Sequence, residues 1–259
     1  MDQIYRLRAN GEEFHAAARD GGELRRAVLN GASLFDGYRL GDAVPGGLAN
    51  TTVLAPVRPS KVLCIGLNYR DHAAEQGKAL PPEPLVFMKP STAVIDPGAP
   101  IVLPPGVGRV DHEAELAVVI GRLAHRVPRA RAWEYILGVT CLNDVTARDI
   151  QNRETQYTRC KGFDTFAPLG PCITTEVRGD LTVEGWVNGV RRQSSTTAQL
   201  IFPIDHLVEY ITFVMTLLPG DVISTGTPSG VGPLAAGDVV TVKVERVGDL
   251  RNPVHDEPR

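Results

Sequence analysis

Glycine and proline recur along the whole chain and divide it into short apolar segments. The 259 residues include 26 glycines and 20 prolines, and the segments between them are rich in Val, Ile and Leu. Because both residues mark turns and interrupt helices, this spacing favours many short strands over long helices. Strands are predicted at residues 61–67, 85–89 and 113–120, and Asn188-Gly189 is typical of the tight turn of a β-hairpin.

Two segments have the pattern of helices that pack against strands. Residues 205–218 place apolar side chains at helical spacing, with Asp205 as the predicted N-cap and Pro219-Gly220 as the stop. A second helix is predicted to begin at Pro128 and to cover residues 130–137. Because strands and helices do not alternate regularly, we predict a β-rich α+β fold and not a doubly wound nucleotide-binding sheet.

A segment with closely spaced prolines predicts a domain boundary. Residues 1–55 are polar and interrupted by glycine, and residues 54–60 include Pro56 and Pro59. Each proline disfavours helix at the residue before it, so this segment is expected to be an extended connector. We predict a small N-terminal domain at residues 1–58 and a larger domain at residues 59–259.

The charge balance gives no sign of a nucleic-acid or membrane partner. The chain has 27 Lys plus Arg and 30 Asp plus Glu, for a formal net charge of −3, without a run of basic residues. The start of the sequence lacks the pattern of a signal segment, and no apolar stretch is long enough to span a membrane. The four cysteines form no Cys-x-x-Cys pair, which favours buried free thiols. We expect a cytoplasmic protein.

Two glutamates occupy alternate positions of the predicted strand at residues 113–120. Alternate side chains share one face of a strand, so Glu113 and Glu115 lie together on a face that is otherwise apolar, and His112 points away from them. Two such carboxylates repel each other unless a cation neutralises them. Mg²⁺ or Mn²⁺ would suit these oxygen ligands. On spacing alone, a solvated strand edge explains the pair equally well.

Asp144 is a candidate third carboxylate because it follows an apolar segment, where a solvated charge is unexpected. A turn or a helix cap is its alternative role. His72 and Glu75 are a candidate catalytic pair, because residues three apart on a helix meet on one face. A carboxylate beside an imidazole raises its basicity, as the activation of water requires. A surface salt bridge is the alternative interpretation.

The segment Gly226-Thr227-Pro228-Ser229-Gly230 is a glycine-rich loop whose amides and Thr227 hydroxyl could hold a carboxylate. Ser229 is at the wrong place for a Gly-x-Ser-x-Gly nucleophile elbow, and the loop lacks the lysine of a phosphate-binding loop. These absences argue against a serine hydrolase and a nucleotide-hydrolysing enzyme.

Taken in order, these motifs resemble the fumarylacetoacetate hydrolase family. The resemblance covers about residues 54–247, and its motifs are residues 61–69 leading to His72 and Glu75, then 85–90, 111–121, 143–151, 161–171 and 219–228. It implies a mixed β-roll catalytic domain, usually in a homodimer. It also implies Mg²⁺ or Mn²⁺ held by Glu113, Glu115 and Asp144.

The resemblance further implies a role for each candidate residue. The substrate is a 2-oxo acid or its enol, whose enolate the metal stabilises as a Lewis acid. His72 and Glu75 would activate water or move a proton, and Lys161 would stabilise developing negative charge. Residues 151–166 resemble the family's mobile lid. The residues implied in substrate binding are Arg148, Gln151, Gly226 and Thr227.

One departure from the family pattern narrows the function. The animal fumarylacetoacetate hydrolase has a further metal-ligating Asp seven residues before the catalytic His, where this chain has Ile65. The site therefore resembles that of smaller bacterial members. We expect isomerisation or hydrolytic C–C cleavage of a 2-oxo or 2-hydroxy-dienoate dicarboxylic acid, as in 2-hydroxyhepta-2,4-diene-1,7-dioate isomerases and acylpyruvate hydrolases of aromatic catabolism. The alternatives are an oxaloacetate decarboxylase and a non-catalytic protein that binds metal and 2-oxo acid.

Overall fold

Strands dominate the architecture. The computed structural model describes residues 1–177 and 179–258, and within them the chain forms twenty strands. In chain order they are β1 (Asp2–Ala9), β2 (Glu12–Arg19), β3 (Leu24–Leu29), β4 (Tyr38–Ala43), β5 (Thr52–Leu54), β6 (Val62–Gly66), β7 (Leu85–Lys89), β8 (Val94–Ile95), β9 (Ile101–Leu103), β10 (Val110–His112), β11 (Ala114–Ile120), β12 (Ile136–Asn143), β13 (Thr146–Ala147), β14 (Ala167–Thr174), β15 (Thr182–Val187), β16 (Val190–Thr196), β17 (Val222–Ser224), β18 (Gly232–Pro233), β19 (Val239–Val244) and β20 (Gly248–Asp256).

The described helices are short. They are α1 (Arg70–Glu75), α2 (Arg148–Arg153), α3 (Thr158–Lys161) and α4 (Ile204–Val214), with 3₁₀ turns at Leu34–Asp36, Gly47–Asn50, Ser91–Ala93, Arg129–Glu134 and Thr197–Gln199. None of the helices in the described part of the chain has the length and apolar character needed to cross a membrane. The four cysteines are free and buried, as predicted.

The strands form three sheets that combine parallel and antiparallel pairs. The largest has twelve strands, ten of them in the order β4-β3-β2-β1-β14-β12-β11-β17-β6-β7, with β5 on β1 and β8 on β14. A second sheet has the order β13-β10-β18, and a third the order β16-β15-β19-β20-β9. β6 runs parallel to β17, whereas β11 runs antiparallel to both β12 and β17. The predicted β-rich α+β fold with mixed sheets is thereby confirmed.

β11 lies at the centre of the core and is buried along its length. Its Leu116 and Val118 belong to one apolar cluster with Val183 of β15 and Val242 of β19. Its residues of opposite orientation, such as Val119, belong to a second cluster that includes strands β1, β6 and β17. Burial on both faces fixes the register of this strand and hence the position of the glutamates at its start.

The N-terminal strands continue the largest sheet. β1 pairs with β14 through Gln3 and Ile4, and β2, β3 and β4 follow outward from β1. The segment between β5 and β6 contains no strand or helix. The domain boundary placed at residue 58 stays a prediction.

The strand predictions at residues 61–67, 85–89 and 113–120 agree with β6, β7 and β11 to within one residue at each end. The hairpin prediction is also confirmed, because β15 and β16 are joined by Asn188 and Gly189, whose φ angles are 52° and 76°. Asn and Gly tolerate this left-handed conformation better than other residues do.

The helix predictions were wrong at their ends. α4 stops at Val214, and the N-cap is Pro203, so Asp205 lies in the first turn, where it accepts a hydrogen bond from Arg129. Leu217 instead forms an isolated β-bridge with Ala124. The segment predicted as a helix at residues 130–137 instead forms a 3₁₀ turn at Arg129–Glu134. Residues 136 and 137 already belong to β12, which pairs with β11.

Candidate active site

Loops from four strands meet at one edge of the largest sheet. β6 and β17 are parallel, so the segments that follow Gly66 and Ser224 leave the sheet on the same side. β11 is antiparallel to β17 and begins there, and β12 ends there opposite it. A cavity of about 360 Å³ lies at this edge. It is lined by every site residue that the sequence predicts except Gly226, whose amide donates to one of the lining glutamates.

Three buried carboxylates form the floor of the cavity. Glu113, Glu115 and Asp144 each offer one oxygen within 4.8 Å of the others. Glu113 lies between β10 and β11, and its carbonyl accepts the Asp144 amide over 2.9 Å. The amide of Glu113 donates in turn to Asn143 Oδ1 over 3.0 Å. These backbone contacts hold the end of β12 against the start of β11, so the three side chains converge.

Basic side chains contact two of these carboxylates. Lys161 Nζ lies 2.8 Å from Glu113 Oε2 and 2.5 Å from Asp144 Oδ2. Lys89 Nζ donates to Asp144 Oδ1 over 2.6 Å. Lys161 also lies 5.0 Å from the centre of the Phe87 ring, within range of a cation–π contact. Both lysines are buried, so their charges act through a medium of low polarity.

Arg148 links the floor to the rim of the cavity. Its Nη2 lies 2.5 Å from Glu113 Oε1, and its Nε donates to Asp111 Oδ2 over 2.8 Å. Its Nη1 donates to Gln151 Oε1. Asp111 also accepts a hydrogen bond from Arg109 over 2.6 Å. The side chains of Arg148 and Gln151, one turn apart on α2, are thus held at the cavity.

The charges of the two glutamates are compensated to different degrees. Burial alone would raise the pKa of Glu113, but Lys161 and Arg148 outweigh it and hold that pKa below its ordinary value. Burial raises the pKa of Glu115, and the nearby Asp144 and Glu113 raise it further. Burial acts to lower the pKa of Lys161, but Asp144 and Glu113 raise it, so this lysine stays protonated.

The donor set fits a hard divalent cation. Glu115 Oε2 accepts hydrogen bonds from Ser224 Oγ over 2.5 Å and from the Gly226 amide over 2.8 Å. Neither donor carries a charge, and among the described residues Glu115 forms no ion pair with Lys, Arg or His. Three converging carboxylates with one of them uncompensated are suited to Mg²⁺ or Mn²⁺, which prefer oxygen ligands.

The predicted pair of His72 and Glu75 is present on α1. His72 Nδ1 lies 3.0 Å from Glu75 Oε2, and His72 Nε2 lies 2.8 Å from Gln76 Nε2. An amide nitrogen donates to the lone pair of Nε2, so the ring proton is on Nδ1 and points to Glu75. In this tautomer Nε2 is the basic nitrogen.

Two contacts anchor α1 to neighbouring segments. Glu75 Oε1 accepts the amide of Gly230 over 3.0 Å, and Asp71 Oδ2 accepts the hydroxyl of Ser195 over 2.5 Å. Asn68, which precedes the helix, donates to the Thr225 carbonyl over 2.7 Å. The candidate catalytic pair and the glycine-rich loop are therefore held as one unit.

The glycine-rich loop contacts the glutamate-bearing strand. Thr227 Oγ1 donates to the carbonyl of Ala114 over 3.0 Å. Gly226 has φ 101°, and an added Cβ would lie 2.8 Å from Asn68 Cβ, so this position requires glycine. The Gly226 amide and the Thr227 hydroxyl, which were predicted to bind substrate, both donate to groups of the protein.

Sequence reasoning missed three residues that shape this site. Lys89 ends the predicted strand β7, and Gln193 lies on β16, where its side chain reaches His112 Nδ1, the Ala114 amide and Thr227. Asn68 joins the loops after β6 and β17. A lysine at the end of an apolar strand is visible in the sequence, so Lys89 could have been named as a candidate site residue. Gln193 carries no such signal, because polar and exposed residues flank it on both sides in the hairpin.

Comparisons with known proteins agree on one family. Residues 61–255 match the family model of the fumarylacetoacetate hydrolase C-terminal domain. A 5-carboxymethyl-2-hydroxymuconate delta-isomerase from Mycobacterium smegmatis is 44% identical, with a TM-score of 0.88 over 99% of this chain and 100% of that one. A 2-hydroxyhepta-2,4-diene-1,7-dioate isomerase from Mycobacterium marinum is 39% identical, with a TM-score of 0.90 over 100% of both chains. A mitochondrial oxaloacetate tautomerase from Rattus norvegicus is 41% identical over 80% of this chain and 70% of its own length.

Proposed function

The chain belongs to the fumarylacetoacetate hydrolase family, whose matched members are isomerases and hydrolases, and on that premise we propose a specific reaction for it. The reaction is the divalent-metal-dependent isomerisation of a 2-oxo or 2-hydroxy-dienoate dicarboxylic acid in aromatic catabolism, with hydrolytic C–C cleavage of acylpyruvates as its related activity. The observation that carries the proposal is the meeting of three carboxylates, Lys161 and a His–Glu pair in one cavity.

Glu113, Glu115 and Asp144 would hold the cation. When bound, Mg²⁺ or Mn²⁺ acts as a Lewis acid that polarises the carboxylate and 2-oxo oxygens of the substrate and stabilises an enolate. The incomplete charge compensation of Glu115 supports this assignment. It leaves the choice between the two metals open, because their ligand preferences overlap.

Lys161 contributes a fixed positive charge beside the reacting oxygens. Its ammonium is buried and bonded to Glu113 and Asp144, so it is held in place before the substrate arrives. Preorganised charge of this kind stabilises the negative charge that develops on oxygen as the enolate forms. Arg148 and Gln151 would orient a substrate carboxylate from the neighbouring side of the cavity.

His72 moves the proton in this proposal. Its Nδ1–H donates to Glu75, which fixes the ring. Nε2 accepts a hydrogen bond from Gln76, and once the substrate displaces that amide, Nε2 would take the proton of the 2-hydroxyl group and deliver it to a carbon of the dienoate. The same base would activate water in hydrolysis of an acylpyruvate. Glu75 holds the ring and stabilises its protonated form, while the Gly230 amide orients Glu75.

Oxaloacetate is the substrate of the second candidate function, a tautomerase. The similarity to the rat oxaloacetate tautomerase favours it, since keto–enol exchange needs the same proton transfer beside the same enolate-stabilising charges. The oxaloacetate decarboxylase proposed from the sequence needs only the metal and Lys161. It differs from the tautomerase in releasing carbon dioxide.

Substrate turnover tests these candidates. Metal-stripped protein supplied with Mg²⁺ or Mn²⁺ would be incubated separately with 2-hydroxyhepta-2,4-diene-1,7-dioate, fumarylpyruvate and oxaloacetate, and the enol absorbance and carbon dioxide would be followed. We expect metal-dependent conversion of the dienoate, abolished in Lys161→Met and retained in Lys243→Met, whose lysine is an exposed partner of Asp249. Conversion of oxaloacetate alone would support the second candidate. Absence of turnover with bound metal would support a non-catalytic binder.

The family resemblance also supports a homodimer, which we propose without assigning its interface. Sedimentation at micromolar protein concentration checks this state, and a single species with the mass of one chain would contradict it.

A further inference from the structure

A second cavity lies in the N-terminal part of the largest sheet. Its volume is about 370 Å³, and it shares no lining residue with the candidate active site. Its walls come from strands β1, β2 and β3, the 3₁₀ turn at Leu34–Asp36 and the connector at residues 56–58. Nothing in the proposed reaction uses this cavity.

Arg6 on β1 lines this cavity with an incompletely satisfied guanidinium. The side chain of Arg6 is 11% exposed, and its Nη1 donates to the Ala55 carbonyl over 2.6 Å. Its Nε is buried and forms no hydrogen bond in the structure. Glu13 Oε2 lies 3.5 Å from this nitrogen, an ion-pair distance, but outside hydrogen-bond geometry. A buried guanidinium donor without a partner is costly.

Three arginines compete for the carboxylate of Glu13. Arg8 Nη2 lies 2.6 Å from Oε1, whereas Arg58 Nη2 lies 2.9 Å from Oε2, the oxygen that Arg6 approaches. Asp96 is the other acidic residue that acts on Arg6, and its Oδ1 already accepts the Ala55 amide over 2.7 Å. Of the charged side chains that line the cavity, Arg6 and Arg58 are positive and Glu13 is negative, so positive charge is in excess there.

The balance of charge at Arg6 agrees with this geometry. Burial is the largest influence and lowers the pKa of Arg6, and repulsion from Arg58 adds to it, while Glu13 and Asp96 only partly oppose them. Arginine remains protonated in proteins, so the group stays charged and under-compensated. An additional anion in the cavity would be stabilised by this excess charge.

Most of the remaining wall residues are apolar. Leu29, Leu34 and Phe35 line the cavity, and Val57 adds to them from the connector. The volume is within the range of small-molecule sites, which combine apolar walls with a few charged or polar groups. His15 also lines the cavity, and its burial lowers its pKa, so at neutral pH it adds no charge to the site.

We infer that this cavity binds a small organic monocarboxylate, with its carboxylate on Arg6 and Arg58 and its apolar body against Leu34 and Phe35. An arginine pair suits a carboxylate because guanidinium groups donate in a planar fork that matches the two oxygens. The site is separate from the proposed reaction, and its occupancy does not depend on the metal.

Titration calorimetry with phenylacetate tests this inference, with 2-phenylethanol as the uncharged analogue. Phenylacetate combines a carboxylate with one apolar ring, so it probes both halves of the cavity. We expect saturable binding of phenylacetate at a stoichiometry of one per chain and none of the alcohol. Failure of phenylacetate to bind at millimolar concentration would overturn the inference.

Variants of two arginines locate the binding. Arg58→Gln removes one guanidinium from a side chain that is 73% exposed, so the fold is expected to be retained. Loss of one charge-assisted contact predicts affinity weaker by about tenfold. Arg8→Gln is the matched control, because Arg8 contacts the same Glu13 but does not line the cavity. Equal affinities of the wild type and Arg58→Gln would contradict the assignment.

Amide chemical shifts give a readout that is independent of the variants. Phenylacetate is expected to shift the amides of residues 13–15, 33–35 and 57–58, which border the cavity. Shifts confined to residues 113–115 and 144–161 would place the probe in the candidate active site and overturn the inference. Turnover of the proposed substrates by Arg58→Gln is expected to equal that of the wild type, so failure of the reaction and failure of this site are distinguishable.

Discussion

Gln193 and Thr227 are joined by a hydrogen bond of 2.8 Å from the amide Nε2 of the glutamine to the hydroxyl of the threonine. The same amide nitrogen donates to the Pro228 carbonyl, and Gln193 Oε1 accepts from the Ala114 amide over 2.9 Å. One buried side chain thus joins the hairpin of β15 and β16 to the glycine-rich loop and to the start of the glutamate-bearing strand.

Replacement of this side chain is expected to disturb substrate binding. Gln193→Leu removes these hydrogen bonds and leaves the buried Ala114 amide unpaired, which costs about 1–3 kcal/mol of the free energy of unfolding. Because Thr227 lines the cavity, we also expect KM for the 2-oxo acid to rise more than kcat falls. Urea denaturation and steady-state kinetics measure the two effects.

The matched control is Arg191→Gln on the same strand. Arg191 is exposed and contacts Glu184, so this change is expected to alter stability by less than about 0.5 kcal/mol and to leave KM unchanged. An unchanged KM in Gln193→Leu, alongside reduced stability, would show that Gln193 supports the fold without positioning the loop.

Removal of the negative charge of Glu115 is expected to weaken metal binding without lowering the stability of the metal-free fold. Glu115→Gln eliminates a carboxylate that has no cationic partner among the described residues, so the metal-free protein should be at least as stable as the wild type. Its affinity for Mn²⁺ should fall by about tenfold or more, because a ligand charge is lost. Calorimetric titration with Mn²⁺ and thermal melts check both parts.

The dependence of Tm on metal concentration gives the complementary result. A cation that binds only the folded state raises the stability by about 2.7 kcal/mol at a concentration of 100 times its Kd. The wild type should therefore melt at increasing temperature as Mn²⁺ is added, whereas Glu115→Gln should respond only at higher concentrations. Equal responses of the two proteins would exclude Glu115 from the metal site.

The next prediction concerns Glu75 of the candidate catalytic pair. Glu75→Gln removes the charge that holds the Nδ1–H tautomer of His72 and stabilises its protonated ring. We expect turnover to fall by as much as the ~10²–10⁴-fold that a general base contributes, because His72 loses the carboxylate that supports it as the base, with unchanged affinity for Mn²⁺. Glu134→Gln is a suitable control, because Glu134 contacts the exposed Arg131 and does not line the cavity. Full activity of Glu75→Gln would remove this residue from the mechanism.

Asp221, which lies outside the candidate active site, is expected to make the stability of the fold depend on pH. Its buried carboxylate accepts hydrogen bonds from Lys61 Nζ, Ser60 Oγ and the Leu218 amide. Burial would raise the pKa of Asp221, but Lys61 and Ser60 outweigh it and lower that pKa in the folded state. The stabilisation is therefore complete above the unfolded-state pKa of about 4 and is lost as the pH falls through the lower folded-state value.

Asp221→Asn tests this sign. We expect the variant to be less stable than the wild type by about 1–3 kcal/mol at neutral pH and the difference to shrink below about pH 4. Urea denaturation across this range measures it. Asp249→Asn, which loses only an exposed contact with Lys243, should differ from the wild type by less than about 0.5 kcal/mol throughout. A difference between wild type and Asp221→Asn that grows on acidification would contradict the assignment.

Local pattern made Glu113, Glu115 and Asp144 candidates, each with an alternative role, and the family resemblance assigned the three together as metal ligands. Neither predicted Lys89 as a residue of the site. Lys89 contacts Asp144 across 55 residues of sequence, and no local pattern reports such a distance. Asn68 and Gln193 are of the same kind, because each acts between segments that are adjacent only in the folded chain.

The ends of helices were the weakest part of the sequence analysis for a related reason. The apolar spacing at residues 205–218 is helical throughout, yet Leu217 pairs with Ala124 in an isolated bridge, and the helix stops at Val214. The pairing partner decides the conformation there, and it lies outside the local sequence. The three strands predicted at residues 61–67, 85–89 and 113–120 were placed to within one residue, and Gly66, Pro90 and Gly121 mark their C-terminal ends.

Because β6 and β17 are parallel, the segments that follow them leave the sheet on the same side and can be joined to each other there. The segment after β6, which holds His72 and Glu75, is tied by Asn68 to the loop after β17, whereas residues 151–157 border the cavity from α2 and the loop that follows it. Exchange of side chains along that border would leave the tied segments in register. Under the proposed function, substitutions in that border would change which acid is accepted as substrate, while the segments joined by Asn68 would keep their positions.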